Sequence, residues 1–265
     1  MKDIIHALHA ELLKSKRTLA FWLTLIAPAV VISLQVAMMW DQYGYHLEQS
    51  KLFGSAWVFY TQQTLVIWSL LMLPLFVTLE TALVAQWEHH SQQWKHLFAL
   101  PVARGALYAA KYLCSVALIG LSCALMIALI LLTGLVFRWV FPGLGFEAAP
   151  PLGEMALYGL LMFLGSWLII AIQTWVAQRW SSFAVASGVG IALTVASVIV
   201  IQSKYAGFYP YTLPALVANG FSKNIGALKT FAEGVLPVKE LLFGSIGGLV
   251  AAALGGWHFV RRDVL

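Results

Sequence analysis

An all-α integral membrane protein with six transmembrane helices is the fold class this sequence predicts. Three observations carry it. Of the 265 residues, 61% are hydrophobic and only 10% are charged, where a soluble domain carries about 25% charged residues. Several apolar runs exceed the ~18 residues that mark a bilayer-crossing helix. Six such runs can be counted, which puts both termini on one side and leaves little sequence for a soluble domain. The whole chain, 1–265, reads as one transmembrane domain.

Residues 1–18 come first. Ile4, Ile5, Leu8 and Leu12 share one face of a helical wheel, and Lys2, His6, His9, Lys16 and Arg17 lie opposite, with Leu13 breaking the pattern. A basic amphipathic helix in the membrane interface is the reading; a short extension of the first span is the alternative. Span 1 is Leu19 to Trp40, with Pro28 expected to kink it. It is too long for the apolar core of a signal peptide and no small-x-small cleavage site follows, so no cleavage is expected. Residues 41–60 read as an outer loop whose Tyr43, Tyr45, Trp57, Phe59 and Tyr60 form an interfacial aromatic belt.

Span 2 runs from about Thr61 to Ala85, with Pro74 inside and Glu80 near its end. A polar stretch, 86–111, follows. It holds three of the seven histidines but also an apolar series of Trp94, Leu97, Phe98 and Leu100, closed by Pro101. A polar segment with its own apolar stripe, between two spans, reads as a short surface helix that touches something. Span 3 is Tyr112 to about Phe137, span 4 Glu154 to Ala177, span 5 Phe183 to Gln202 and span 6 Glu240 to Val260. Spans 4 and 5 form a tight hairpin. The outer stretch 203–239 has short apolar pieces between prolines and glycines, so short helices dipping into the membrane and an ordinary structured loop both fit.

The net charge of +5 is scattered and forms no nucleic-acid stripe. The segments 1–18, 86–111, 178–182 and 261–265 hold ten Lys and Arg in 54 residues, and the opposite segments six in 73. The denser side is expected to be cytoplasmic, with both termini inside a multi-pass cell-membrane protein.

Candidate sites are few. Glu80 is the only carboxylate well inside a span, and an intramembrane charge points to function by default. Gly244, Gly248, Ala252 and Gly256 recur every four residues in span 6, as do Ala184, Gly188, Ala192 and Ala196 in span 5. Such ridges let helices approach closely, within one subunit or between two. Cys114 and Cys123 read as buried apolar-like thiols. His89, His90 and His96 invite a metal or haem reading, but on a helix the adjacent His89 and His90 point apart, the pair His89 and His96 has no evident third ligand, and interfacial polarity explains them, so no metal is expected. No G-x-x-x-x-G-K-[ST], G-x-S-x-G or H-E-x-x-H motif occurs. Energy for active transport must come from a partner or a gradient. An integral membrane enzyme using the histidines and a proton-coupled transporter using Glu80 are the competing classes.

The stretch Glu88, Trp94-Lys95, Leu97, Ala99-Leu100-Pro101, Arg104, Tyr108 and Lys111 resembles the first cytoplasmic loop of type-2 ABC exporter permeases. Within these it is similar to the lantibiotic-immunity and bacitracin-type peptide-resistance branch. Glu11, Lys14, Lys16 and Arg17 before span 1 fit the same pattern. The resemblance implies an interfacial connecting helix at 1–18, a coupling helix within 86–111 that docks on an ATPase, and re-entrant helices within the extracytoplasmic loop 203–239. It implies a non-catalytic subunit with no cofactor of its own. ATP and Mg would sit in cytoplasmic ATPase partners, and a second permease, identical or homologous, would complete the pathway. An amphipathic peptide or hydrophobic compound is the expected cargo. In the coupling segment Trp94, Leu97 and Phe98 would anchor it and Pro101 stop it, while Glu88, Arg104 and Lys111 would pair with the partner or with lipid head groups.

Overall fold

A computed structural model describes residues 2–16, 18–90, 103–221 and 237–261, with the backbone alone for residues 2, 3 and 87–90. Among these residues every regular element is helical. Six helices are long and apolar enough to cross a membrane: Leu19–Asp41, Ala56–Gln86, Arg104–Val140, Leu152–Arg179, Phe183–Val200 and Val238–Val260, here spans 1 to 6. The even number places both termini at one end of the bundle.

Spans 1, 3, 5 and 6 bury a third or less of their most apolar 18 residues, whereas spans 2 and 4 are more than half buried at the centre of the bundle. In span 1 the buried residues Ala20, Thr24, Pro28, Val31, Gln35 and Met39 recur at helical spacing, so its polar groups face the bundle. Trp22, Ile26, Val30 and Leu34 face outward. Pro28 is accommodated inside a continuous helix. Span 3 has 37 residues, roughly 55 Å at about 1.5 Å per residue. That exceeds the ~30 Å hydrocarbon core, so the helix projects beyond the bilayer and its first turns, Arg104–Lys111, belong to the polar stretch.

Span 2 departs most from expectation. It begins at Ala56, and Trp57, Phe59 and Tyr60 are buried core residues rather than an interfacial belt. Their polar groups find partners inside. The Trp57 indole N–H donates to the Phe146 and Ala148 carbonyls at 3.2 and 3.0 Å, and the Tyr60 hydroxyl lies 2.6 Å from that of Thr133. Tyr43–Leu52, expected as loop, is a separate helix at the outer end, the end opposite the termini. Within span 2, Trp68–Met72 is a π-turn just ahead of Pro74. Proline brings no N–H to the Leu70 carbonyl and crowds it, and the wider turn relieves both effects.

The outer connection Ala206–Phe221 folds back into the bundle. Its short helix, Leu213–Ala218, is almost wholly buried. Tyr211, also buried, accepts a hydrogen bond from Gln173 of span 4, and the Tyr209 hydroxyl donates to the Leu193 carbonyl of span 5 at 2.7 Å. Residues 222–236, with the second apolar piece of this loop, lie outside the described residues.

The glycine ridge of span 6 packs within the chain. A methyl group at Gly244 would lie 2.5 Å from the Gly165 carbonyl oxygen, and one at Gly248 would lie 2.6 Å from the Trp167 carbonyl carbon. Spans 4 and 6 therefore meet backbone to backbone. At Gly188 in span 5 an added methyl meets nothing within 4 Å, and Ala184 and Ala192 are exposed beside it. Gly244→Ala is expected to destabilise the purified chain by about 1–3 kcal/mol, as overpacking against rigid backbone does. Gly188→Ala should be close to neutral, and unfolding in detergent compares the two.

Candidate functional site

The polar stretch between spans 2 and 3 has two arms, the end of span 2 and the start of span 3. Trp94, Lys95, Leu97, Phe98, Leu100 and Pro101 lie outside the described residues, as does Arg17, and Glu88 is described by its backbone within the helix Leu73–His90. What the structure supplies is the anchorage of both arms.

Lys111 is the centre of it, turned inward onto Glu11 rather than outward to a partner or to lipid head groups. It is 2% exposed, one and a half to two turns into span 3. Its Nζ lies 3.2 Å from Oε2 of Glu11 on the N-terminal helix Lys2–Ser15, and donates to the Val84 carbonyl of span 2 at 3.5 Å. Lys14 completes the cluster, its Nζ 2.9 Å from Oε1 of Glu11. One ammonium group thus ties the N-terminal helix to both arms of the loop. Beside the cluster, Glu11, Lys14, Ser15 and Thr18 help line a cavity of about 20 Å³, room for one water among polar groups.

Burial pushes the Glu11 carboxyl up, but Lys111 and Lys14 outweigh it and hold the group below its ordinary value of 4.5. The glutamate stays ionised where a lone buried carboxylate would be costly. Leu8 and Leu12 of the same helix pack against Ala20, Val84, Cys114 and Leu118. The amphipathic reading holds for these residues, while Ile5 and Leu13 point outward, 60% and 51% exposed. Lys16 is exposed at the helix end.

A second anchor fixes the return arm on its other side. Tyr108 is 3% exposed and its ring packs at a tilt of 43° against Phe259 of span 6, with ring centroids 5.7 Å apart. A methyl group at Gly255 would lie 2.1 Å from the Tyr108 hydroxyl, and one at Gly256 would lie 3.3 Å from its ring. The glycines at the end of span 6 are a seat for Tyr108. Arg104 is exposed at the first turn of span 3.

Glu80 is 0% exposed, and neither carboxylate oxygen has a hydrogen-bond partner among the described residues. It stands apart from the Lys111 cluster in every described bond. Among the described residues no three His, Cys, Asp or Glu side chains come together as a metal site. The side chains of His89, His90 and His96 lie outside the described residues. Both cysteines are free and buried.

Sequence reasoning marked Glu11, Lys14, Tyr108 and Lys111 singly, by resemblance. It did not bring Lys111 to Glu11, 100 residues away, nor Tyr108 to Gly255. The signal available was weak, because Lys111 lies one residue ahead of the expected start of span 3 at Tyr112, and only the observed helix Arg104–Val140 takes it inside, where a lysine demands a buried partner.

No curated protein matches the chain significantly. The family model described as ABC-2 family transporter protein matches residues 7–200, from the N-terminal helix to the end of span 5. The chain belongs to that family, as the non-catalytic membrane subunit of an ABC transporter whose ATPase is a separate subunit.

Proposed function

We propose that residues 86–111 couple this permease to its ATPase, and that the Lys111 cluster passes the motion on to the bundle. The observation that carries the proposal is the single ammonium group bound to Glu11, to the Val84 carbonyl and to its own helix. A push on the loop then moves both arms and the N-terminal helix as one body rather than dissipating in a hinge. Trp94, Leu97 and Phe98 form the apolar anchor for a groove on the ATPase, with Glu88, Lys95, Leu100 and Arg104 around it and Pro101 ending the helix. The termini and this loop face the cytoplasm, in line with the basic bias. ATP and Mg reside in the ATPase pair, and a second permease, identical or homologous, completes the pathway. Closure of the ATPases draws the two coupling loops together and opens the outer side. Ala206–Phe221, folded into the outer end of the bundle, acts as a re-entrant element near that gate. The cargo is an amphipathic peptide or hydrophobic compound, expelled as in peptide-immunity systems.

The buried carboxyl of Glu80 supports a second reading, in which a proton gradient drives transport. Reconstitution with its ABC ATPase separates the two. Export that requires hydrolysable ATP and survives Glu80→Gln supports ATP coupling. Export that stops in Glu80→Gln while hydrolysis continues, or that runs without the ATPase, supports the proton.

A further inference from the structure

Spans 4 and 6 run side by side in the same direction, because Gly165 meets Gly244, Trp167 meets Gly248 and Trp175 meets Gly255 in turn. They touch backbone to backbone at the first two pairs and through the Trp175 Cβ, 3.5 Å from a methyl group placed at Gly255, at the third, nearest the end that carries the termini. There a groove of about 320 Å³ opens between them. Its body is apolar, formed by Ala171, Ile172, Ala251 and Leu254. Leu254 is 61% exposed and Trp257 is 56% exposed, so the groove opens sideways, to the bilayer.

The mouth has different chemistry. The Trp175 indole N–H donates to His258 Nδ1 at 3.4 Å, which leaves Nε2 as the donor of that ring. The Arg261 guanidinium stacks 4.2 Å above the Trp257 ring. A stacked guanidinium keeps its N–H groups in its own plane, directed sideways, the geometry that suits a phosphate. Arg179, at the end of span 4, lies 5.9 Å over Trp180, which meets Trp175 edge to face. Indoles and guanidiniums at a helix end mark the depth of lipid head groups. Among the described residues, the charged side chains at this end of spans 4 and 6, Arg179 and Arg261, are both cationic.

We propose that this groove binds an anionic phospholipid, one acyl chain lying between spans 4 and 6 and the phosphate held at the mouth by Arg261 and His258. An apolar slot at hydrocarbon depth selects a chain, and a cationic mouth at head-group depth selects a negative head. Basic pockets between transmembrane helices are a recognised lipid-binding chemistry. The lipid would brace spans 4 and 6 beside Gly255, which lines the groove and also meets the Tyr108 hydroxyl.

The test needs no ATPase, so it stands or falls apart from the coupling proposal. The full chain is equilibrated with phosphatidylglycerol and phosphatidylcholine of the same acyl chains, and retained lipids are counted by native mass spectrometry. Phosphatidylglycerol is expected to be retained in preference. Arg261→Gln should reduce that preference about fivefold, the equivalent of about 1 kcal/mol per charge, and Arg261→Lys should restore part of it. Leu254→Trp, which fills the groove from an exposed position, should reduce retention of both lipids. Equal retention of the two lipids by the parent chain overturns the proposal. So does an unchanged preference in Arg261→Gln, or displacement of phosphatidylglycerol by inorganic phosphate alone.

Discussion

Lys111→Met is expected to cost the folded chain about 3 kcal/mol and to abolish coupled transport. The substitution leaves Glu11, only 8% exposed, without its closest partner on span 3. Breaking a buried pair from one side costs about 3–5 kcal/mol, most of it the uncompensated charge. The lower end applies because Lys14 stays 2.9 Å from the same carboxylate. The double change Glu11→Leu with Lys111→Met removes both charges and should recover most of the stability. Transport should stay low in the double variant, because methionine cannot hold the Val84 carbonyl that Lys111 holds. Unfolding in detergent and export by proteoliposomes read the two effects separately. Acid gives a further check on the pair. The Glu11 carboxyl lies below 4.5 in the fold, so its contribution is complete above that ordinary value. It is lost as pH falls through the lowered folded value. The parent chain should weaken across that window, and the double apolar variant should lack this loss.

Trp94→Ala with Leu97→Ala is the second large effect. The two residues stand three apart in the sequence, the spacing that shares a face on a helix, and a buried aromatic anchor in an interface costs about 2–4 kcal/mol on truncation. Affinity for the ATPase should fall by at least about thirtyfold, since every ~1.4 kcal/mol is tenfold. The Lys111 cluster is untouched, so membrane insertion and the stability of the isolated permease should match the parent. Where association survives at high protein concentration, hydrolysis should continue without matching export.

The bundle and the site were legible to different degrees, for physical reasons. Hydropathy finds spans because lipid demands apolar length, and four of the six described spans begin within two residues of expectation, whereas spans 2 and 3 begin five and eight residues early. Span 2 was misplaced at its start because Trp57 and Tyr60 read as part of an interfacial belt. Their polarity is absorbed inside, by the Phe146 and Ala148 carbonyls and by Thr133, partners far along the chain. The helix Tyr43–Leu52 has no apolar stripe to announce it. The glycine ridges show the converse. Equal spacing marked spans 5 and 6 alike, yet Gly244 meets a backbone and Gly188 meets nothing within 4 Å. Spacing states that a close approach is allowed and says nothing of who approaches. The Lys111 cluster was half legible. A lysine in an apolar helix requires a partner, but only the fold decides that the partner is Glu11.

The central claim is that residues 86–111 meet the ATPase, and contact there is the measurement that tests it most directly. Trp94→Cys is combined with single cysteines placed around the helical groove of the ATPase, in a background with Cys114 and Cys123 replaced by alanine. Cross-linking is scored with and without ATP. A specific cross-link that forms at one groove position, and that locks hydrolysis when formed, is the predicted result. Absence of any cross-link from position 94 in a complex that still transports would contradict the account.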